Sequence, residues 1–350
     1  MTNFIDLCAG GNVIETYAIE PGSLTVSGIS AGAAMATQFH VAFSADVNGV
    51  GIFAGIPYGC AKGSLAVALN CMSSPFLTSV PTLIDRTDGF AQDGTIDPTS
   101  NMSGDRVYVF HGTRDSTVNN RNGEQVVEFY QNYLSTSDIA TEFTIAAEHC
   151  QPTDNFGGEC NRQNTDNYIN DCDYRGAFLA LNHLYGGSLL PDTTAVPESN
   201  LFQFDQAEFF GGRPESYSMD SVGYIYIPTE CKDPTRYCKL HVVLHGCLQS
   251  SQEIGDVFVK NAGYLEVAES NAIILLFPQV VRTPVSNPNA CFDCGDMLVT
   301  TTTSKRESKW TPSTKCARDW ASKRKCSLPL FNQRANNNKH HIVLYFHYTI

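Results

Sequence analysis

Ser30, Asp115 and His149 are the side chains in this sequence whose types and order suit nucleophilic acyl transfer. A serine hydroxyl attacks a carbonyl well only when a general base takes its proton. Histidine can do this near neutral pH, and a carboxylate behind the ring fixes its tautomer and orientation. Ser30 stands in GISAG (28–32), with Gly28 and Gly32 on either side. The pentad is weakly specific alone, so its surroundings must carry the argument. Leu24-Thr25-Val26 ahead of it reads as a strand, and Ala31 to Ala36 behind it reads as the start of a small-residue helix. A strand, serine and helix in immediate succession force the serine into a strained backbone conformation, which only small neighbours tolerate.

Asp115 follows the apolar run RVYVFHG (106–112), and His149 follows TEFTIAAE (141–148), so both belong at the ends of successive strands. Three other histidines compete for the role of base. His111 reads as a core residue, His183 falls mid-helix in ALNHLYG, and His40 lies on the helix after the pentad. His149 is preferred because it alone follows both Ser30 and Asp115 in a loop after a strand. A further motif, KLHVVLHGCLQ (239–249), is a buried strand running into His-Gly-Cys and a helical pattern. Backbone amides in such a loop can stabilise the oxyanion of acyl transfer. That strand ordinarily precedes the nucleophile, but here it comes late, which makes the order a circular permutation.

These groups need a sheet to hold them. Apolar runs at 24–28, 50–55, 106–112, 141–148, 223–228, 239–246 and 271–279 read as strands buried on both faces. Helical spacing occurs at 31–44, 122–134, 173–185 and 252–268. The alternation predicts an α/β protein with a mainly parallel sheet flanked by helices, in the circularly permuted α/β-hydrolase arrangement. Residues 187–222 show little periodicity and read as a long surface connection between the two halves of one sheet.

The 350 residues are 42% hydrophobic and 17% charged, enough for a large core. A formal net charge of -13 disfavours nucleic acid as a partner, since phosphate binding needs clustered Lys and Arg. No run of 18 apolar residues suits a membrane span. Thirteen cysteines, with close pairs at Cys60/Cys71, Cys160/Cys172 and Cys231/Cys238, suit disulfides in an oxidising compartment. Cys291 and Cys294 form a solitary C-x-x-C without a second ligand pair, so no metal site is expected. The N-terminal stretch MTNFIDLCAGG has neither the basic segment nor the apolar core of a leader, yet the cysteine usage points outside the cell. A secreted protein whose leader is missing or misassigned is therefore expected. Asn101-Met102-Ser103 matches a glycosylation acceptor.

With GISAG, FHGTRDSTV, EHCQPTD, LHVVLHGCLQ and NACFD in one chain and in this order, the sequence resembles the extracellular polyhydroxybutyrate depolymerases of the single-domain, circularly permuted α/β-hydrolase type. The resemblance runs from about Ala18 to Cys294. It implies Ser30 as nucleophile, His149 as base, Asp115 as orienting acid, and Ala31 and Cys247 as backbone donors to the oxyanion. It further implies a Cys247/Cys291 disulfide, with Cys150 left without an obvious partner. No metal or organic cofactor is expected; the partner is a polyester or oligoester gripped by exposed apolar residues around a shallow cleft, and the chain is expected to be a monomer.

Three segments follow: an N-terminal extension (1–17), the catalytic domain (18–294) and an atypical basic tail (295–350). From Gly295 onward the chain carries 10 Lys+Arg against 3 Asp+Glu, the reverse of what precedes it. The tail lacks the W-G-Y stretch and amphipathic helix expected of such depolymerases. It is read either as disordered or as a one-base frame shift, since codons for Gly295 to Trp320 can be chosen such that one base restored before Gly295 gives WGYAGNDYYVKEGVQMDAVYKMCKRL. Rival readings of function are a feruloyl or acetylxylan esterase on a similar scaffold, and a catalytically dead hydrolase fold that only binds.

Overall fold

The computed structural model describes residues 3–9, 12–62, 65–191, 195–284, 287–292, 332–336 and 339–343; at 3–16 and in the last two segments only the backbone pairing is described. Eight strands form the central sheet: β1 (Asn12–Ile29), β2 (Gly49–Phe53), β3 (Arg106–Phe110), β4 (Ile139–Glu142), β5 (Leu201–Asp205), β6 (Val222–Tyr226), β7 (Tyr237–Leu244) and β8 (Ile273–Phe277). Their spatial order is β5-β6-β8-β7-β1-β2-β3-β4. From β8 through to β4 every pair is parallel, and among these eight only β6 runs the other way, pairing antiparallel with both β8 and the edge strand β5. β7, late in sequence, lies beside β1, with Leu244 opposite Gly28. The permutation therefore brings the His-Gly-Cys loop against the Ser30 turn, although 215 residues separate Ser30 from His245 in the sequence.

Successive residues of the parallel strands alternate between two cores. Val107 and Val109 of β3, with Val50 and Ile52 of β2, pack on the layer that contains α1 (Ala31–Ala42), α3 (Val80–Gln92) and α4 (Arg121–Gln131). Tyr108, Phe110 and Phe53 face the other layer, with α5 (Gly176–Leu184) and the helix Leu265–Asn271. Period-two alternation with both faces covered is why these strands read as continuous apolar runs. Each such side chain withdrawn from water contributes about 1.5–3 kcal/mol. A further helix, α2 (Leu65–Ser73), and the 3-10 turn Pro75–Leu77 lie between β2 and α3.

Three expectations require correction. The helical pattern at 252–268 is broken into Ser251–Ile254, Val257–Asn261 and Leu265–Asn271, because Gly255 and Gly263 take left-handed conformations (φ 64° and 82°) that end each piece. The run at 141–148 is a strand only to Glu142. Beyond it the amides of Thr113 and Arg114 reach over to the carbonyls of Ile145 and Ala147 at 2.9 and 3.1 Å, an irregular pairing outside the ladder. Within 187–222, expected to be a long surface connection between the two halves of one sheet, lies a strand that was not foreseen, β5, which pairs with β6 as the edge of the sheet.

The backbone of the extension expected at 1–17 is described at 3–9 and 12–17, whereas the tail expected at 295–350 lies largely outside the described residues. Their described parts are backbone strands: Asn3–Ala9 runs antiparallel to β1, and Lys339–Val343 pairs parallel with Asn3–Ala9 and antiparallel with Asn332–Asn336. Among the described residues no helix is long and apolar enough to cross a membrane. Asn101 and Ser103 are exposed, at and just after the 3-10 turn Thr99–Met102.

Candidate active site

Ser30 closes β1 and caps α1 with φ 56° and ψ -119°, a conformation an L-residue adopts only under constraint. The constraint is packing. A Cβ on Gly28 would lie 2.4 Å from the backbone of Gly32, and a Cβ on Gly32 would lie 2.3 Å from the Leu244 carbonyl oxygen. Only glycine at both positions lets β1, α1 and β7 approach this closely. The Ser30 amide donates to the Phe53 carbonyl at 2.9 Å, which ties the turn to β2. Of nine non-glycine residues with positive φ among the described residues, Ser30, Ala54, Tyr168, Leu248 and Ala290 lie in the segments around this turn. Strain of this kind concentrates where a site holds its groups against local preference.

Asp115 and His149 are brought together by the irregular pairing beyond β4. Gly112 is required there, because a Cβ at that position would lie 2.2 Å from the Ala147 oxygen. His149 Nδ1 lies 2.8 Å from Asp115 Oδ2, and the two side chains are 5% and 1% exposed. The other Asp115 oxygen accepts the amides of Thr117 (2.9 Å) and Val118 (2.8 Å). Burial pushes the Asp115 carboxyl up, but hydrogen bonds from His111 and His149 and the charge of both rings outweigh it and hold it well below the ordinary carboxylate range. Asp115 is thus an anion aimed at His149 Nδ1, with Nε2 on the far side of the ring.

Two residues of this corner were not singled out as site residues by sequence reasoning. His111, read there as a core residue, is buried, yet its Nε2 lies 3.3 Å from Asp115 Oδ2 and 2.9 Å from the Val118 oxygen, so it gives the acid a second imidazole neighbour. Glu148 Oε1 accepts from the Ser116 amide (2.7 Å), the Ser116 hydroxyl (2.8 Å) and the His149 amide (3.1 Å). One carboxylate oxygen thereby joins the acid loop to the base loop. The only sequence hint of this was Glu148 standing next to His149. The remaining rivals are elsewhere: His40 is buried against Asp105 and Tyr130, and His183 bonds the Asp138 carbonyl.

The loop after β7 abuts Ser30, since a Cβ on Gly246 would lie 3.4 Å from Ser30 Cβ. His245 is fully buried; its Nδ1 lies 2.7 Å from the Gly246 oxygen, and its Nε2 faces the Val280 amide at 3.5 Å. Burial lowers its pKa to about 4, so the ring is neutral, with the proton on Nδ1 donated to Gly246. In a trans peptide the C=O and the following N–H point in opposite directions. Anchoring the Gly246 oxygen to His245 therefore turns the Cys247 amide to the other side. Gln249 adds a second hold, accepting the Gly246 amide at 2.7 Å and donating to the Asn167 carbonyl at 2.8 Å, next to Tyr168, whose ring meets His149 edge to face.

Cys247 is bonded to Cys291, and the pairs Cys60–Cys71, Cys160–Cys172 and Cys231–Cys238 are also disulfides. Cys150 is a buried free thiol, its pKa pushed up by burial. Ser30, Ala31 and Cys247 line one cavity of about 200 Å³, together with Ala34 and Gln38 of α1, Leu69 and Met72 of α2, Val118 and Phe292. Its wall is mostly apolar, with Leu69 53% exposed, and in the 3-10 turn that follows α2 Phe76 and Leu77 are 75% and 68% exposed. Among the described residues no group of three or more His, Cys, Asp or Glu side chains is placed to hold a metal ion.

A mainly parallel sheet whose central strand ends in a serine turn facing a separate oxyanion-type loop defines the α/β-hydrolase class. No protein-family model matches the chain. The chain is 36% identical over 295 residues to a poly(3-hydroxybutyrate) depolymerase of Delftia acidovorans, which covers 82% of this chain but only 58% of that protein. It is 33% identical over 293 residues to a polyhydroxybutyrate depolymerase of Talaromyces funiculosus, covering 80% of this chain and 84% of the relative. Two solved structures are similar at 32% identity. A PHB depolymerase complexed with an R3HB trimer matches with TM-score 0.73 over 80% of this chain and 89% of that one. The crystal structure of PHB depolymerase from Penicillium funiculosum matches with TM-score 0.71 over 79% and 88%. The chain belongs to the polyhydroxybutyrate depolymerase family.

Proposed function

We propose that this protein is a secreted serine esterase that hydrolyses poly(3-hydroxybutyrate) or its oligomers, with Ser30 as nucleophile, His149 as general base and Asp115 as the acid that orients it. The observation that carries the reading is the Ser30 turn itself, a strained serine kept in place by two obligatory glycines at the mouth of an apolar cavity. In the first step the Ser30 Oγ forms a bond to the ester carbonyl carbon, and its proton passes to His149 Nε2. The Cys247 and Ala31 amides take the oxyanion, with α1 directing its positive end at it. The ester C–O bond then breaks, and His149 returns the proton to the departing alkoxide. Water attacks the acyl-enzyme by the reverse route, releasing a hydroxy acid. No cofactor enters this sequence of steps.

The substrate reading rests on family membership and on the exposed apolar side chains Leu69, at the cavity, and Phe76 and Leu77, in the turn after α2, which suit an apolar polyester. Four disulfides support export to an oxidising compartment. The test is hydrolysis of 3-hydroxybutyrate oligomers and of p-nitrophenyl butyrate by the parent chain and by Ser30→Ala. The proposal expects both activities in the parent and neither in the variant. Turnover of the small ester without the oligomers would remove the substrate reading, and an unchanged variant would remove the nucleophile.

A further inference from the structure

Tyr168 takes φ 53°, in the left-handed region that glycine and asparagine tolerate and a bulky ring disfavours. Of the nine non-glycine residues with positive φ among the described residues, it is the only aromatic one. The conformation is enforced from several sides. Its amide donates to the Asn164 carbonyl at 3.0 Å, and its carbonyl accepts the Gln151 amide at 2.8 Å. The Asn167 side-chain oxygen accepts from Asn164 Nδ2 at 2.8 Å and from the Ile169 amide at 3.0 Å. Gln249 Nε2 donates to the Asn167 carbonyl and also reaches the Tyr168 carbonyl at 3.4 Å. The Cys160–Cys172 disulfide closes the segment around the turn, and Ile169–Asp171 pairs with Gln151–Thr153 and with Gly158–Glu159.

Glycine at this position would complete the same turn without strain, so the backbone gives no reason for a tyrosine. The reason lies with the ring. It meets the His149 imidazole with centroids 6.4 Å apart and planes at 77°, the edge-to-face arrangement that aromatic pairs favour. Asp115 holds the imidazole at Nδ1, a single point about which a ring can still rock. A second ring packed at nearly a right angle blocks that motion. Orientation matters because a base takes a proton only within hydrogen-bond reach of the hydroxyl, and a small misplacement of a reacting group slows the step steeply.

We infer that Tyr168 is a positioning residue for the base: Gln249 and the disulfide-closed segment 160–172 hold its ring against His149, so that the imidazole keeps the orientation Asp115 gives it. The inference rests on the proposed esterase reading and deepens it. Gln249, 2% exposed, also accepts the Gly246 amide at 2.7 Å, so one buried side chain ties the support of the base to the loop that carries the Cys247 amide.

The test is steady-state hydrolysis of p-nitrophenyl butyrate by the parent chain, Tyr168→Gly, Tyr168→Asn, Tyr168→Phe and Ser30→Ala, with Tm measured in parallel. Glycine and asparagine accept the left-handed conformation but bring no ring, whereas phenylalanine keeps the ring. Both ringless variants are expected to lower kcat by about 10-fold or more. Tyr168 does not line the Ser30 cavity, so KM should stay within about threefold. Their Tm should stay within about 3 °C of the parent or rise, because relief of the strained backbone offsets the lost ring contact. Tyr168→Phe is expected to return kcat to within about twofold of the parent. Ringless variants with kcat within about twofold of the parent would overturn the inference and leave the esterase reading intact. A loss in Tyr168→Phe equal to that in Tyr168→Gly would also overturn it, since the effect would then belong to the hydroxyl. So would a larger fall in Tm in both ringless variants, which would make the ring a packing element only. A parent without turnover, or a Ser30→Ala variant that keeps it, would overturn the esterase reading and this inference with it.

Discussion

Replacing Glu148 by alanine should cripple turnover without touching substrate binding. The carboxylate oxygen accepts three hydrogen bonds that join the Asp115 loop to the His149 loop. Hydrogen bonds to a charged group contribute about 1.5–3 kcal/mol each, and they are not additive. Ser116 is exposed and its donors can return to water, whereas the buried His149 amide cannot. A net loss of about 2–4 kcal/mol follows, which lowers the Tm by roughly 3–7 °C in a domain of this size. The larger effect is on geometry, since a displacement of about 1 Å between catalytic groups can reduce the rate about 100-fold. Glu148 does not line the Ser30 cavity, so KM should stay within about threefold while kcat falls about 10–100-fold. Glu148→Gln keeps an acceptor oxygen and gives up only the charge, roughly half the strength of each bond, so most of kcat should return. The assay is steady-state hydrolysis of p-nitrophenyl butyrate with Tm measured in parallel. A folded Glu148→Ala variant with kcat within twofold of the parent would refute the reasoning, because the two loops would then hold their register without the bridge.

Other expectations follow from the same geometry. His241 and His245 are fully buried, and burial lowers their pKa to about 3 and about 4, so both are neutral in the folded state and titrate near 6.5 when unfolded. The unfolded chain therefore binds more protons below 6.5. Their contribution is fully present above that pH and is lost as the pH falls toward 4. At pH 5 these two groups should give a slope of about 2–3 kcal/mol per pH unit in unfolding free energy, and a flat profile from 6.5 to 4.5 in denaturant titrations would contradict the assignment. Asp115, held low, behaves differently: its contribution is complete above about pH 4 and is lost only below it, so the stability advantage of the parent over Asp115→Asn should shrink as the pH falls from about 4 to about 2, and an unchanged gap over that range would contradict the assignment. Replacing both Cys247 and Cys291 by serine opens a loop of 44 residues and should remove about 4 kcal/mol, together with at least tenfold in kcat as the Cys247 amide loses its anchor. Activity equal to the parent would show that His245 and Gln249 hold the loop alone. For the tail, we propose a one-base frame shift before Gly295; reading the transcript across Cys294 should reveal it, and an uninterrupted frame would dismiss it.

The site could be read from sequence wherever local pattern and chain order coincide. Ser30 stood between a strand and a helix with two glycines, so its surroundings could be judged without any distant contact, and the clash distances at Gly28 and Gly32 give the physical reason. The sheet was legible because β1, β2, β3, β7 and β8 are buried on both faces and so appear as unbroken apolar runs. Glu148 was not legible: its carboxylate meets donors on separate loops, and a charge at that position has no periodic signature. His111 is the core residue it was read as, but its second role was hidden for a related reason: a buried histidine after a strand shows nothing of its distance to Asp115 in the sequence. The helix expected at 252–268 failed because a helical period survives two glycines in sequence, but the backbone does not keep the helix through them.

The most direct measurement of the central claim is mass-spectrometric mapping of the adduct formed with an organophosphonate ester probe. A serine activated by the His149–Asp115 pair should carry the single phosphonyl group on Ser30, with labelling abolished in Ser30→Ala and strongly slowed in His149→Ala. A folded chain that stays unlabelled, or that carries the adduct on another serine, would contradict the account.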